Sequence, residues 1–217
     1  VAALVGFLIG IPTLRLRGDY LAIATLGLSE IIRIIILNFD FTGGASGLSG
    51  IPQYTNWTWL FIFTAATVII IKNFINSSHG RACISIREDE IAAESMGINV
   101  TKYKVMAFVI GAFFAGIAGA LYSSYFYFIK PDLFGFLKSI DILVIVVLGG
   151  MGSISGSILA SVLLAIVSTY LQAFPELRMV IYSLLLLIMM IFRPKGLMGT
   201  KEFRLDDFFR KKPIKVK

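Results

Sequence analysis

The sequence predicts an all-α protein: a polytopic transmembrane helical bundle with one broken or re-entrant helical element and one short charged helix on the cytoplasmic side. Three observations predict it. Of the 217 residues, 57% are hydrophobic and only 15% are charged, against about 45–50% and 25% in a soluble domain. The apolar residues come in long uncharged blocks, so the mean hydropathy of +0.85 is that of membrane spans rather than of an oily soluble core. The cations gather in the connections between alternate blocks, which is how membrane proteins set their orientation.

The blocks fall at 1–11, 20–37, 57–71, 105–129, 142–174 and 178–192. The first, "VAALVGFLIGI", is short of the roughly 17–25 residues a span needs. It also lacks the basic start and small-residue cleavage site of a signal peptide. It reads as the tail of a helix whose start is missing, the chain being a fragment or the product of a downstream start. Blocks 20–37, 57–71, 105–129 and 178–192 are long enough, or nearly so, to cross about 30 Å of hydrocarbon. Block 142–174 is too long for one straight helix, since its 33 residues would reach about 50 Å. "GGMGSISG" (149–156) interrupts it, which predicts two spans or two half-helices meeting at that break.

Sixteen of the 20 Lys and Arg lie in 12–19, 72–104 and 193–217, while 38–56 has none. The positive segments are expected inside, and 38–56, 130–141 and 175–178 outside. Block 142–174 then starts and ends on the same side, so charge and length agree on a two-legged element. The domain reading is a membrane unit over 1–199, with a helix at about 86–96, followed by a basic cytoplasmic tail, 200–217. The tail sequence "KEFRLDDFFRKKPIKVK" suits anionic headgroups or simple topology setting. The formal charge of +7 follows this pattern and calls for no nucleic acid.

Several motifs carry chemistry beside a plainer packing role. Gly111, Ala115 and Gly119 in "GAFFAGIAGA" are spaced to let helices approach closely, and Gly152, Gly156 and Ala160 repeat the spacing. Packing alone does not account for the glycines and serines of "LGGMGSISG". Freed backbone groups at membrane depth survive only when buried in protein or lining a wet cavity, so Gly149, Gly150, Gly152, Ser153 and Gly156 are candidate translocation-pathway residues. Glu30 and Arg33 join them, three residues apart on one helix face inside an apolar block; the other reading of this pair is a frayed helix end at the outer interface. The loop "FTGGASGLSGIP" (41–52), with Thr42, Gly43, Gly44 and Gly47, is a candidate vestibule lining, a candidate surface for an external partner, or a plain connector.

The single cysteine, Cys83, excludes an internal disulfide and a Cys-based metal cluster. His79 sits in the polar loop "NSSHGR" and reads as solvated. There is no G-x-x-x-x-G-K-[ST], H-E-x-x-H or G-x-S-x-G. No catalytic set is present and no metal site is expected.

The charged island "REDEIAAESMG" (87–97) stands out. Ser85 followed by Glu88 has the spacing of a capping box, Gly97 suits a helix C′ position, and acids near the N-terminus complement the dipole. A helix over about 86–96 follows, with Ile84, Ile91, Ala92 and Met96 on its apolar side and Ala93 narrow enough for close approach. Three turns are unstable alone in water, so this helix packs on the ends of its own spans or under a second protein.

"EIAAESMGI" (90–98) resembles the EAA loop of ABC-importer permeases, with Glu90, Ala92, Ala93 and Gly97 near the family spacing; Ile91 intervenes between acid and alanines, and the downstream proline is missing. "LRLRGDYLAIATLGLSEIIR" (14–33), "TGGASGLSGIP" (42–52), "GRACISIREDEIAAESMGINVTKYKVMAF" (80–108), "AGALY" (118–122), "VLGGMGSISG" (147–156) and "RPKGLMG" (193–199) are similar to LivM-type branched-chain amino acid permeases. The resemblance covers essentially the whole chain, in order. It implies a permease subunit of the bacterial inner membrane, C-terminus cytoplasmic, partnered by a second related (LivH-like) permease, two cytoplasmic ATPases and an external substrate-binding protein. ATP and Mg would sit on the ATPases, with no cofactor on this chain. The island would be the coupling helix, through Arg87, Glu88, Glu90, Ala92, Ala93, Met96 and Gly97. Relatives in the wider family carry urea or other amides. An ion-coupled secondary transporter or channel subunit is the alternative; it accounts for the spans but not for a partner-seeking helix at 86–96.

Overall fold

The computed structural model describes residues 1–170, 175–192 and 196–199, so the tail expected at 200–217 and most of the basic stretch before it lie outside the described residues. The described residues are mainly helical. The chain divides into two units, Val1–Phe136 and Leu137–Lys217, which are described separately.

In the first unit, α1 (Ala2–Thr13), α2 (Asp19–Leu37), α3 (Trp57–Asn76), α4 (Ser78–Glu88), α5 (Glu90–Ser95) and α6 (Val100–Phe126) follow one another. Among the described residues, α2, α3 and α6 are long and apolar enough to cross a membrane. Their 19, 20 and 27 residues correspond to about 28, 30 and 40 Å. Each coincides with an expected block. The polar ends are closed locally, as apolar surroundings demand. Asn38 donates its amide to the Ile34 carbonyl at 2.8 Å and Thr42 its hydroxyl to the Ile36 carbonyl at 2.7 Å. At the start of α6, Asn99 accepts from the Lys102 N–H at 3.0 Å.

α1 packs on α6 through small residues. A Cβ on Gly6 would stand 2.6 Å from the Ala112 methyl, and one on Gly116 would stand 2.5 Å from that of Ala2. Backbones this close are what small-xxx-small spacing permits. The packed face is therefore Ala112 and Gly116, one position over from the expected Gly111–Ala115–Gly119 face, where Gly111 and Gly119 look onto open space. The sequence offers both registers, and spacing does not choose between them.

The two ends of this unit gather the loops by charge. Segments 12–19 and 72–104, the cation-bearing ones, meet at one end through Arg17, Glu90 and Lys104. Segments 38–56 and 127–134 meet at the other: β1 (Leu48–Ser49) pairs antiparallel with β2 (Phe128–Ile129), Leu48 opposite Ile129 and Ser49 opposite Phe128. Within this unit the loops that the cation count expects on a common side lie together.

In the second unit, α7 (Phe136–Gly149) and α8 (Ile154–Tyr170) form the two-legged element, with the break at 150–153. Their 14 and 17 residues give about 21 and 26 Å, shorter than α2, α3 or α6. With α9 (Pro175–Phe192) they enclose a core of Val144, Leu148, Ala160, Leu164 and Tyr182. The Tyr182 and Ser168 hydroxyls are hydrogen-bonded to one another.

Candidate functional site

The charged island is two helices rather than one. α4 starts at Ser78, where Ser77 Oγ accepts from the Gly80 N–H at 3.2 Å, and ends at Glu88. Asp89 then takes an extended conformation, φ −155° and ψ 111°. Its carboxylate accepts from the N–H groups of Ile91 at 2.9 Å and Ala92 at 3.0 Å, capping α5. The expected continuous helix over 86–96 and its Ser85–Glu88 capping box are thus corrected. Ser85 donates back to the Ala82 carbonyl instead, while Asp89 is the stronger cap and breaks the helix there.

Gly97 ends α5 as its position suggests. It sits at φ +81°. The N–H of Gly97 donates to the Glu94 carbonyl at 3.0 Å and that of Ile98 to the Ala93 carbonyl at 3.1 Å. This is a Schellman closure, with its hydrophobic contact: Ile98 packs on a small core of Ile86, Ala93 and Val100, with Tyr103. On α4, partial burial pushes the Cys83 thiol pKa up.

α5 therefore has two faces. The inner one holds Ala93, 5% exposed, beside Glu90. Lys104 Nζ donates to Glu90 at 2.6 Å, Arg17 Nε lies 3.3 Å from Glu90, and Arg17 Nη2 lies 3.6 Å from Glu94. Arg17 precedes α2 and Lys104 lies in the first turns of α6, so one six-residue helix is tied to two spans. The outer face presents Ile91, Ala92 and Met96, with Ile91 72% and Met96 82% exposed. Glu88 pairs with Arg87 at 2.6 Å on the exposed end of α4. Of the island residues, the structure turns Glu90 and Ala93 inward and leaves Arg87, Glu88, Ala92, Met96 and Gly97 outward. Sequence reading missed Arg17 and Lys104, because Glu90 and Lys104 are 14 residues apart and no helical spacing links them.

At the opposite end, Arg33 is held by two carboxylates. Its Nε donates to both Glu30 oxygens at 2.9 and 3.0 Å, and Nη2 pairs with Glu30 as well. Nη1 donates to Asp132 at 2.9 Å. Asp132 lies in the short 3₁₀ turn Pro131–Phe134 and went unnoticed in the sequence. The Glu30–Arg33 pair lies within α2, which runs unbroken to Leu37, so the helix does not fray at Glu30, and Arg33 reaches from it to the 127–134 segment through Asp132. Beside it, Thr42 closes the end of α2, and Gly43 and Gly47 adopt φ +72° and +74°. A Cβ on Gly43 would lie 2.8 Å from the Gly47 carbonyl carbon, one on Gly44 3.1 Å from the Leu37 carbonyl oxygen, and one on Gly47 2.8 Å from the Lys130 Cβ. Gly47 lets this loop close onto Lys130, while Gly43 and Gly44 fit its own turns against Gly47 and Leu37.

The break in the second unit is built on backbone contact. A Cβ on Gly149 would stand 2.6 Å from the Gly156 carbonyl carbon. Gly150 and Gly152 have φ +110° and +104°, and Ser153 Oγ accepts from the Gly156 N–H at 3.1 Å. Gly149, Gly150, Ser153 and Gly156 are buried, whereas Gly152 is exposed at the turn. The freed carbonyls of Leu148 and Gly149 accept from the N–H groups of Leu197 at 2.9 Å and Met198 at 3.3 Å. Residues 196–198 thus complete the break, a role that their sequence, "GLM", carries no signal for. The two sets of candidate pathway residues fall in different units.

The profile of the family described as the branched-chain amino acid transport system permease component matches residues 1–190. The high-affinity branched-chain amino acid transport system permease protein LivM of Salmonella typhimurium is 40% identical over 233 aligned positions, covering 91% of this chain and 55% of that protein. LivM of Escherichia coli is 39% identical with the same coverage. LivH of Escherichia coli, also a permease protein of that system, is 33% identical over 147 positions, 66% of this chain and 47% of that protein. The chain spans about half the length of the curated relatives it matches. No solved structure matches it. A helical chain with apolar spans, matched by this profile over nearly all its length, belongs to the permease component family of branched-chain amino acid transport systems.

Proposed function

We propose that this chain forms part of the membrane permease of an ATP-driven importer for branched-chain amino acids, working by alternating access. The observation that carries the reading is α5. Its apolar outer face, Ile91, Ala92 and Met96, is uncovered, while its inner face is tied to α6 and to the start of α2 through Glu90. A helix offered to a groove by its apolar anchors is a recurrent recognition mode, and a partner moving α5 would move two spans with it. The partner we assign is a cytoplasmic ATPase, one of two, holding the ATP and Mg. This revises the role read from sequence for Glu90: it links α5 to its own chain, and Ile91, Ala92 and Met96 meet the ATPase. Two kinds of permease among the relatives, LivM and LivH, support pairing with a second, related permease, and an external binding protein would deliver substrate.

The bacterial inner membrane is the proposed location. The cation-rich end, with the tail 200–217, faces the cytoplasm, and 1–199 forms the membrane unit. The decisive experiment is co-purification of the ATPases with substrate uptake in cells, comparing wild type with Ile91→Ser and Met96→Ser at matched membrane levels. Loss of both ATPase binding and uptake is expected. Full uptake with no ATPase attached would favour an ion-coupled transporter.

A further inference from the structure

One groove away from α5 has a layout of its own. It is about 780 Å³ and lies between α1 and α6. Phe7, Ile11, Val109 and Ile110 line its length, and Arg15 and Lys102 stand at one end. Among the described residues no acidic side chain lines it. The contrast with the neighbouring cations is informative: Arg17 and Lys104 are neutralised by Glu90 and Glu94, whereas Arg15 and Lys102 are exposed and make no ion pair among the described residues. From Ile110 to Lys102 the groove runs about 12 Å along α6, and along α1 from Phe7 to just past its end at Thr13, where Arg15 stands, apolar first and cationic last. An oily channel ending in two exposed cations, beside the base of α6, complements one kind of molecule found at a membrane surface in quantity: an acidic phospholipid, headgroup on the cations and acyl chain along the helices.

We propose that the α1–α6 groove is a binding site for an acidic glycerophospholipid. Its phosphate is held by Arg15 and Lys102, and Asn99 and Thr101, which also line the groove, stand beside it as polar neighbours. The lipid would fill the seam between these helices and brace α6 where it carries Lys104, the partner of Glu90. Placement in the cytoplasmic leaflet rests on the orientation proposed above; the binding itself does not, so a failure of the transport reading leaves the site testable.

The test is native mass spectrometry of the full-chain permease, assembled with its partner subunits and offered equal amounts of phosphatidylglycerol and phosphatidylcholine. Wild type is expected to retain phosphatidylglycerol preferentially. Arg15→Gln and Lys102→Gln should each reduce that preference roughly fivefold, and the double variant should abolish it. Lys72→Gln, a cation on α3, should leave it unchanged. Water-soluble glycerophosphoglycerol, the same headgroup without chains, should not displace the lipid. Equal retention of the two lipids by wild type, as when another helix fills the groove, would overturn the proposal. So would a Lys72→Gln effect as large as that of the pair, or displacement by the soluble headgroup.

Discussion

Lys104 donates to Glu90 at 2.6 Å, joining a helix on the charged end to the base of a long span. Both side chains are about three-quarters buried, so the pair is worth more than a surface ion pair yet less than a fully desolvated one, about 1–2 kcal/mol. Glu90→Lys removes the shared carboxylate and sets a third cation within reach of Lys104 and Arg17. Uptake should fall sharply while the protein stays in the membrane. Because the defect is repulsion within the chain, adding Lys104→Glu should restore part of the uptake. No rescue by the double variant, measured at matched membrane levels, would mean that Glu90 serves a partner chain instead.

Gly97 offers a cleaner reading of the same helix. At φ +81°, with open space where a Cβ would point, a substitution there meets a backbone penalty and no clash. Gly97→Val should cost roughly 1–2 kcal/mol at the turn and misdirect the chain entering α6. Gly97→Asn, which tolerates left-handed backbone, should keep most of the uptake. Equal loss in both would point to a partner that needs the glycine surface rather than the turn.

How much of this was legible in the sequence depends on the range of the interaction. Span positions were readable because hydrophobic blocks are local: α2 falls on Asp19–Leu37 against an expected 20–37. The break at 149–156 was readable because glycine pairs and serines are local as well. Helix ends were less so. Ser85, Asp89 and Asn99 can all cap, and only the surroundings decide which does. The long-range partners had no signal. Asp132 reaches Arg33 from 99 residues away, and residues 196–198 complete a turn some fifty positions upstream. Which of two small-residue registers on α6 packs was likewise set by α1, not by α6.

The break in the second unit predicts a steep dependence on size. Gly149 and Gly156 face each other across backbone, and a Cβ on Gly156 would stand 3.0 Å from the Gly149 carbonyl carbon and 3.1 Å from Ser153 Oγ. Backbone cannot yield as a flexible side chain does, so Gly156→Ala should destabilise the protein by about 1–3 kcal/mol. Gly119→Ala, facing open space, should cost next to nothing and gain helix propensity. Thermal unfolding in detergent measures both. A Gly156→Ala protein as stable as wild type would mean that α7 and α8 are not in backbone contact.

Thiol chemistry tests the orientation and the burial around Cys83 together. Burial raises the Cys83 thiol pKa, which lowers the thiolate fraction at neutral pH, and the thiolate is the reactive form. In wild type, labelling by an impermeant maleimide in inverted vesicles should therefore be slow at pH 7. It should quicken as pH rises through and beyond the ordinary thiol range, later than for an exposed cysteine. In a Cys83→Ser background, Ser95→Cys on the exposed face of α5 should label fast in inverted vesicles and not in intact cells. Gln53→Cys, in the opposite loop, should do the reverse. The two new thiols lie on connections grouped at opposite ends of the first unit, so their labelling must be opposite whichever way the protein faces. Labelling of both from the same side would break the assignment of spans. Labelling of both from the sides opposite to those named would keep the spans and invert the orientation read from the cations.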